Sequence, residues 1–145
     1  MKRSHQIAKE ISQNLPTFLR HTYPYIFGAM EIPPSQVLAV STIQEKGRCS
    51  LSELSKAMHI SAPTISGIID RLEESGYVKR IPDENDRRVT NIELTSKGEK
   101  VVQKFRQNIM NRWKTILEKI PSVDQENLIQ SFKKVTKGLV DGTIQ

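Results

Sequence analysis

Three arginines and a run of hydroxyl side chains are the residues of this chain most suited to chemistry, and that chemistry is binding. Arg87 and Arg88 close the polar run Pro82-Asp83-Glu84-Asn85-Asp86. Arg71 lies within Ser61-Ala62-Pro63-Thr64-Ile65-Ser66-Gly67-Ile68-Ile69-Asp70-Arg71-Leu72-Glu73-Glu74-Ser75-Gly76. Guanidinium groups offer planar donor forks to phosphates and to guanine edges, and short hydroxyls bond bases or backbone at close range. An enzyme needs a constellation of groups, and none is present. There is no Ser/His/Asp arrangement, no phosphate-cradling glycine loop and no HExxH.

The elements that must position these residues follow from periodicity. Ile65, Ile68, Ile69 and Leu72 fall at i, i+3, i+4 and i+7, one apolar stripe of a helix. Ser61 caps its start, Pro63 is tolerated in its first turn, and Gly76 stops it. The opposite face carries Thr64, Ser66, Gly67, Asp70 and Arg71, all short or hydrogen-bonding. A helix with so small a polar face can lie deep in a groove, which makes it a candidate DNA recognition helix. Its candidate contacts are Ser61, Ala62, Pro63, Thr64, Ser66, Gly67 and Arg71.

Upstream, Ser50 to Met58 reads as a short helix with Leu54, Ala57 and Met58 turned inward. His59-Ile60-Ser61 is the turn between the two helices, which completes a helix-turn-helix. Downstream, residues 77–81 and 90–94 read as two strands, with Thr90, Ile92 and Leu94 alternating onto one face. The hairpin is a wing, with Asp86, Arg87 and Arg88 at its tip. In isolation these three would be a solvated turn with weak ion pairs. One hairpin beyond a groove-reading helix, the reading is that an arginine at this tip enters the minor groove.

The flanking segments read as assembly helices. Ile7, Ile11, Leu15, Phe18 and Leu19 keep a helical rhythm that Pro16 and Pro24 interrupt, so two or three helical pieces or a kinked helix are expected. The aromatic cluster that includes Tyr23, Tyr25 and Phe27 serves core packing or lines a ligand cavity. Pro33 and Pro34 open a helix packed by Val37, Leu38, Val40 and Ile43 and ended by Gly47, with Cys49 in the connection that follows. Thr95 or Ser96 caps a long helix, Ser96 forming a capping box with Glu99. That helix reaches Ile120, about 37 Å at roughly 1.5 Å per residue. Pro121 ends it, and Ser122 with Gln125 caps a last helix. Neither long helix can bury its stripe against so small a winged domain. A homodimer through Ile7, Ile11, Phe105, Ile109, Trp113, Phe132 and Leu139 is therefore expected. The segments are 1–34 for N-terminal dimerisation, 35–95 for the winged helix-turn-helix, and 96–145 for C-terminal dimerisation. The fold class is mainly α with a small β-hairpin wing.

Bulk properties agree only in part. The 145 residues carry a net charge of +6, which suits a polyanionic partner. Residues 51–95 nevertheless hold six basic groups against eight acidic ones. The named arginines, not bulk charge, must therefore locate a nucleic-acid site. That acidic balance leaves a second reading open, a winged module for protein–protein contact. RNA is disfavoured, since no aromatic stacking residues occupy the reading face. No apolar run approaches a membrane span, the first residues are polar, and a single cysteine, Cys49, suits a reducing compartment. A cytoplasmic protein without membrane contact is expected. No arrangement around Cys49 beyond nearby Arg48 demands an activated thiol.

Two phrases carry a resemblance over nearly the whole chain. These are Leu54-Ser55-Lys56-Ala57-Met58 through Arg71-Leu72-Glu73-Glu74-Ser75-Gly76-Tyr77-Val78, and Asp86-Arg87-Arg88 through Leu94-Thr95-Ser96-Lys97-Gly98. Together they resemble the MarR family of transcription regulators. The resemblance implies a triangular homodimer with intertwined terminal helices, each winged domain binding half of a palindromic double-stranded operator. It implies that Arg87 enters the minor groove, held there by Asp86, while Arg88 is structural or directed at the backbone. It also implies a repressor released by a small aromatic or amphipathic effector held between the dimer helices and the DNA-binding domain. Many relatives carry a long side chain, often arginine, where this chain has Gly67. Either one base contact is missing here or Arg71, one turn further on, supplies it. His5, His21 and His59 do not form the ligand cluster of zinc-sensing relatives, and Cys49 is not in the first helix as in peroxide-sensing ones. No metal and no cofactor are expected.

Overall fold

The computed structural model describes residues 2–145; Met1, the first residue of the expected N-terminal segment, lies outside them. Among the described residues the elements run α1 (Lys2–Phe27), α2 (Pro34–Lys46), β1 (Cys49–Ser50), α3 (Leu51–Met58), α4 (Ala62–Glu74), β2 (Val78–Pro82), β3 (Thr90–Leu94), α5 (Ser96–Leu117) and α6 (Ser122–Val140). The fold is the mainly helical, winged helix-turn-helix class expected. The three strands form one antiparallel sheet in the order β1-β3-β2. Cys49 pairs with Ile92 and Arg80 pairs with Ile92 from the other side. Two compact units are present, one up to Ile109 and the other Met110–Gln145, the division falling inside α5.

The first unit is organised by the stripe of α4. Ile65, Ile69 and Leu72 are fully buried and Ile68 nearly so, packed with Ala39, Val40 and Ile43 of α2, Leu54 of α3, Val78 and Ile92 of the sheet, and Val101 and Val102 of α5. Each such side chain contributes roughly 1.5–3 kcal/mol on burial. Ser61 caps α4 by accepting from the Thr64 N–H, and Ser50 caps α3 by accepting from the Glu53 N–H. The turn between these helices takes His59 into the left-handed region at φ 54. Ser55 secures that turn: its hydroxyl donates to the Ile60 carbonyl, and its own carbonyl accepts from the Ile60 N–H.

The run Leu94-Thr95-Ser96-Lys97-Gly98 earns its composition at the junction of α4 and α5. The Thr95 hydroxyl donates to the Gly76 carbonyl at 2.6 Å and accepts from the Gly98 N–H at 3.2 Å, which makes Thr95 the cap of α5. Lys97 donates to the Ser75 carbonyl at 2.8 Å and lies 4.3 Å above the Tyr77 ring. Gly98 is buried where a Cβ would collide with the Tyr77 carbonyl. Tyr77 itself is buried, its hydroxyl donating to Glu31 at 3.2 Å. Burial, reinforced by that carboxylate, pushes its phenol upward.

Several expectations are corrected. Of the two forms expected for the N-terminal segment, separate pieces are excluded, since α1 is one continuous helix through Pro16 and Pro24. Each proline removes one N–H, but Ser12 and Arg20, whose carbonyls would have received those bonds, are exposed and solvent can reach them. Cys49 is not in an exposed connection. It sits buried in β1, a strand too short for any period to announce, and burial, then Glu53, raises its thiol against the smaller opposing effect of Lys46. Leu38 and Ala57 are exposed rather than packed inward. Thr95 takes the capping role, so Ser96 and Glu99 form no capping box. α5 stops at Leu117, before Pro121.

In the second unit, α6 begins at Ser122 without a side-chain cap. Gln125 instead reaches back to donate to the Leu117 and Ile120 carbonyls, at 2.8 and 3.0 Å. Of α6 only Gly138 is buried.

Gly67 and Gly98, both inside helices, predict opposite outcomes. Gly98→Ala should destabilise the chain by roughly 1–3 kcal/mol through overpacking against the Tyr77 carbonyl. Gly67→Ala, where an added Cβ meets nothing within 4 Å, should stabilise it by about 0.5–1 kcal/mol. Urea unfolding of both variants checks the pair.

Candidate nucleic-acid interface

The outward face of α4 presents what its polar side chains predict. Ser61, Ala62, Pro63, Thr64 and Arg71 are exposed, and Ser66 and Gly67 are half-buried. The Ser61 hydroxyl donates to the Thr64 hydroxyl at 2.9 Å, which orders the first turn. Open space lies over Gly67. Among the described residues, the Arg71 guanidinium has no ion-pair or hydrogen-bond partner.

Its neighbour Asp70 is engaged, by a residue the periodicities do not point to. Arg80, on β2, places one terminal nitrogen 2.6 Å from Asp70 and the other 2.7 Å from Glu73. These carboxylates lie three residues apart on α4, so one guanidinium spans a turn of the helix. The bond to Asp70 raises the Arg80 pKa, partial burial opposes it, and Glu73 adds to the rise. A second charge knot closes the sheet. Glu93 of β3 accepts from Arg48 at 3.0 Å and Lys79 at 3.1 Å. Asp70, Glu73 and Glu93, three of the eight acids of residues 51–95, are thus held in ion pairs.

The wing is built around Asp83, also unforeseen. One carboxylate oxygen accepts from the Asn85 and Asp86 N–H groups at 3.1 and 3.0 Å, and the other accepts from the Asn91 amide at 3.0 Å. An aspartate directly after a proline in a polar turn is a recognised Asx signal and was the available clue. The Asn91 bond first, then the two backbone bonds, hold the Asp83 carboxyl below the usual carboxylate range.

At the tip, the pairing differs from the expectation. Asp86 accepts from the Arg88 N–H at 3.0 Å and from its Nε at 3.3 Å, and it does not hold Arg87. An Asx-type turn makes the residue two positions on the nearer partner. Arg87 is exposed and, among the described residues, has no ion-pair or hydrogen-bond partner. Arg71 and Arg87 are therefore two open guanidiniums on a surface whose acids are mostly engaged.

The remaining candidates separate. Ile7, Ile11, Phe132 and Leu139 are exposed by 48–59%, while Ile109 and Trp113 are half-buried. Phe105 departs from the dimer set: it is buried within its own chain, 5.4 Å from the Phe27 ring. Phe27 is half-buried and its ring also lies 4.8 Å from that of Tyr23, while Tyr23 and Tyr25 are exposed. Asn108 ties α5 to the end of α1 by donating to the Ile26 carbonyl at 3.1 Å. Among the described residues no group of three His, Cys, Asp or Glu side chains is placed to hold a metal ion.

Residues 32–90 match the sequence profile of the MarR family. The chain is 23% identical over 134 residues to the HTH-type transcriptional repressor MdtR of Bacillus subtilis, covering 90% of this chain and 84% of that one. Its fold is similar to that of a MarR family protein from Bacillus stearothermophilus, with a TM-score of 0.84, 22% identity, and coverage of 97% and 98%. It is also similar to FabT of Streptococcus pneumoniae, solved in complex with DNA, with a TM-score of 0.76, 18% identity, and coverage of 95% and 98%.

The Asp83 bonds carry a pH consequence. Because the folded carboxyl is held below its ordinary value of 3.8, the bonds contribute fully above that value. Their contribution fades as pH falls through the lower folded pKa. The amides of Asn85 and Asp86 should lose hydrogen-exchange protection over that acid window. Asp83→Asn should remove the pH dependence, measurable by NMR exchange.

Proposed function

We propose that the chain is a member of the MarR family and a sequence-specific DNA-binding transcription regulator, acting as a homodimer on a palindromic double-stranded operator. The observation that carries this reading is the pair of open guanidiniums. Arg71 stands on a helix face of small polar groups suited to the major groove, and Arg87 stands at the tip of the adjoining wing. Ser61, Ala62, Pro63, Thr64, Ser66 and Gly67 line the approach of the helix to base edges and phosphates. Asp86 and Arg88 shape the tip. Arg87 enters the minor groove, drawn by the negative potential of narrow A·T-rich segments.

The dimer reading is supported by apolar faces without cover in a single chain. On α1 these are Ile7, Ile11, Leu15, Phe18 and Leu19, and on α6 Leu128, Ile129, Phe132, Val135 and Leu139, all exposed. Contiguous exposed stripes of this kind mark association surfaces. With Phe105 occupied internally, Ile7, Ile11, Phe132 and Leu139 carry the interface, flanked by Ile109 and Trp113. Repression follows the relative named a repressor, and release by a small aromatic or amphipathic effector follows the resemblance, with Tyr23 and Tyr25 the exposed aromatics available to it. Action on DNA sets the protein in the cytoplasm, and no helix of the described residues is long and apolar enough to cross a membrane.

Selection of duplexes from a random pool supplies the operator and tests the reading. On the selected duplex, Arg71→Ala should cost roughly 1–3 kcal/mol and relax preference at one base pair per half-site. Arg87→Ala should lose more affinity with A·T-rich flanks than with G·C flanks and lower the salt slope by about 1. Equal binding of both flanks by parent and variant overturns the wing contact and favours a protein partner for the hairpin. Sedimentation should give a species of twice the 16.5 kDa chain mass, and Phe132→Glu with Leu139→Glu should reduce it to a monomer.

A further inference from the structure

We propose that Arg80 is a positioning residue that fixes the spacing of the wing from the recognition helix, so that Arg71 and Arg87 reach the duplex as one preset pair. The inference rests on the DNA-binding reading above and deepens it. Arg80 stands in the middle of β2, opposite the fully buried Ile92, so its backbone is pinned by the core. Its two terminal nitrogens grip Asp70 and Glu73 separately, at 2.6 and 2.7 Å. Two anchors one turn apart resist both sliding of the strand along the helix and rotation about a single contact. A lysine, with one compact ammonium, lacks the fork that makes both bonds at fixed geometry.

The position of the clamp gives it leverage over the contacts. Asp70 directly precedes Arg71 on α4, so one anchor is on the residue next to the reading arginine. Arg87 lies seven residues beyond Arg80 on the same hairpin, and the intervening turn is stiffened by the Asp83 bonds. The Arg80 clamp therefore holds the stem of the wing against the helix that carries Arg71. It also neutralises two carboxylates that would otherwise repel phosphate beside the helix. Orientation fixed before binding need not be lost on binding, and contacts held in one frame reinforce each other.

A double-mutant cycle in the full chain tests this. The probe is the duplex selected by the parent protein, made with A·T-rich or G·C flanks. In the parent background, Arg87→Ala should cost about tenfold more affinity on the A·T flanks, within the usual range of coupled pairs. In the Arg80→Met background that ratio should fall to near one, and Arg80→Lys should restore it only partly. An unchanged flank ratio in Arg80→Met, whatever its melting temperature, overturns the proposal, since a merely structural loss weakens all duplexes alike. If Arg80→Met does not fold, Asp70→Asn with Glu73→Gln removes the anchors and keeps the arginine. That variant gains net positive charge, so it should bind non-specific duplex more tightly yet lose flank discrimination. Retained discrimination there also overturns the proposal. A parent that selects no duplex overturns the DNA reading itself, and this inference with it. Loss of the flank ratio confined to the clamp variants cannot arise in that way.

Discussion

Burial of four side chains on one helix governs what the rest of the first unit can present. With Ile65, Ile68, Ile69 and Leu72 packed into the core, α4 has no rotational freedom about its axis. Thr64, Gly67 and Arg71 follow on the outer side as a geometric necessity of the 3.6-residue turn. The polar face is thus held by apolar contacts it does not share. The same core seats β2 and β3, through Val78 and Ile92, so helix and wing rest on one base.

Upon that base the charges sort into two populations. Asp70, Glu73, Asp83, Asp86 and Glu93 each meet a donor within the chain. Exposed ion pairs of this kind add little to stability singly. Their effect lies in which groups they leave over. Net charge over residues 51–95 is a poor guide to the local field, because an acid joined to its partner presents a dipole and not a charge. Among the described residues Arg71 and Arg87 remain outside the ion pairs, as do Lys56, Glu74 and Glu84, and a polyanion is drawn to the open cations among them.

Elements with a regular period were legible from residues alone: α4, both wing strands and α6 lie where their apolar spacing places them, and so does α5 up to Leu117. Local chemistry was legible too, in Ser61 as a cap and Gly47 as a stop. What escaped depends on partners distant in the chain. Cys49 joins a strand only because Ile92 lies beside it, and two residues offer no periodicity. Arg80 becomes a clamp only when β2 lies against α4. Asp86 pairing with Arg88 turned on turn geometry that residue order leaves open. The prolines left open whether α1 would break or continue, and the cost of a missing N–H falls where solvent replaces the lost bond. Phe105 sat on a stripe with true surface residues, and only packing against Phe27 separated it from them.

The order of strands in the sheet has a consequence for synthesis. β3 is central but is made last, forty residues after β1. Until residues 90–94 have emerged from the ribosome, β1 has no ladder partner and Ile92 is missing from beneath the helix-turn-helix. The seam at Thr95 and Gly98 closes later still. A nascent chain therefore carries α3 and α4 for some time as helices with an open apolar side, exposed to chaperones and to neighbouring chains on the same message. The winged domain becomes complete in one step near its own end, and no shorter product of translation holds the reading face in place.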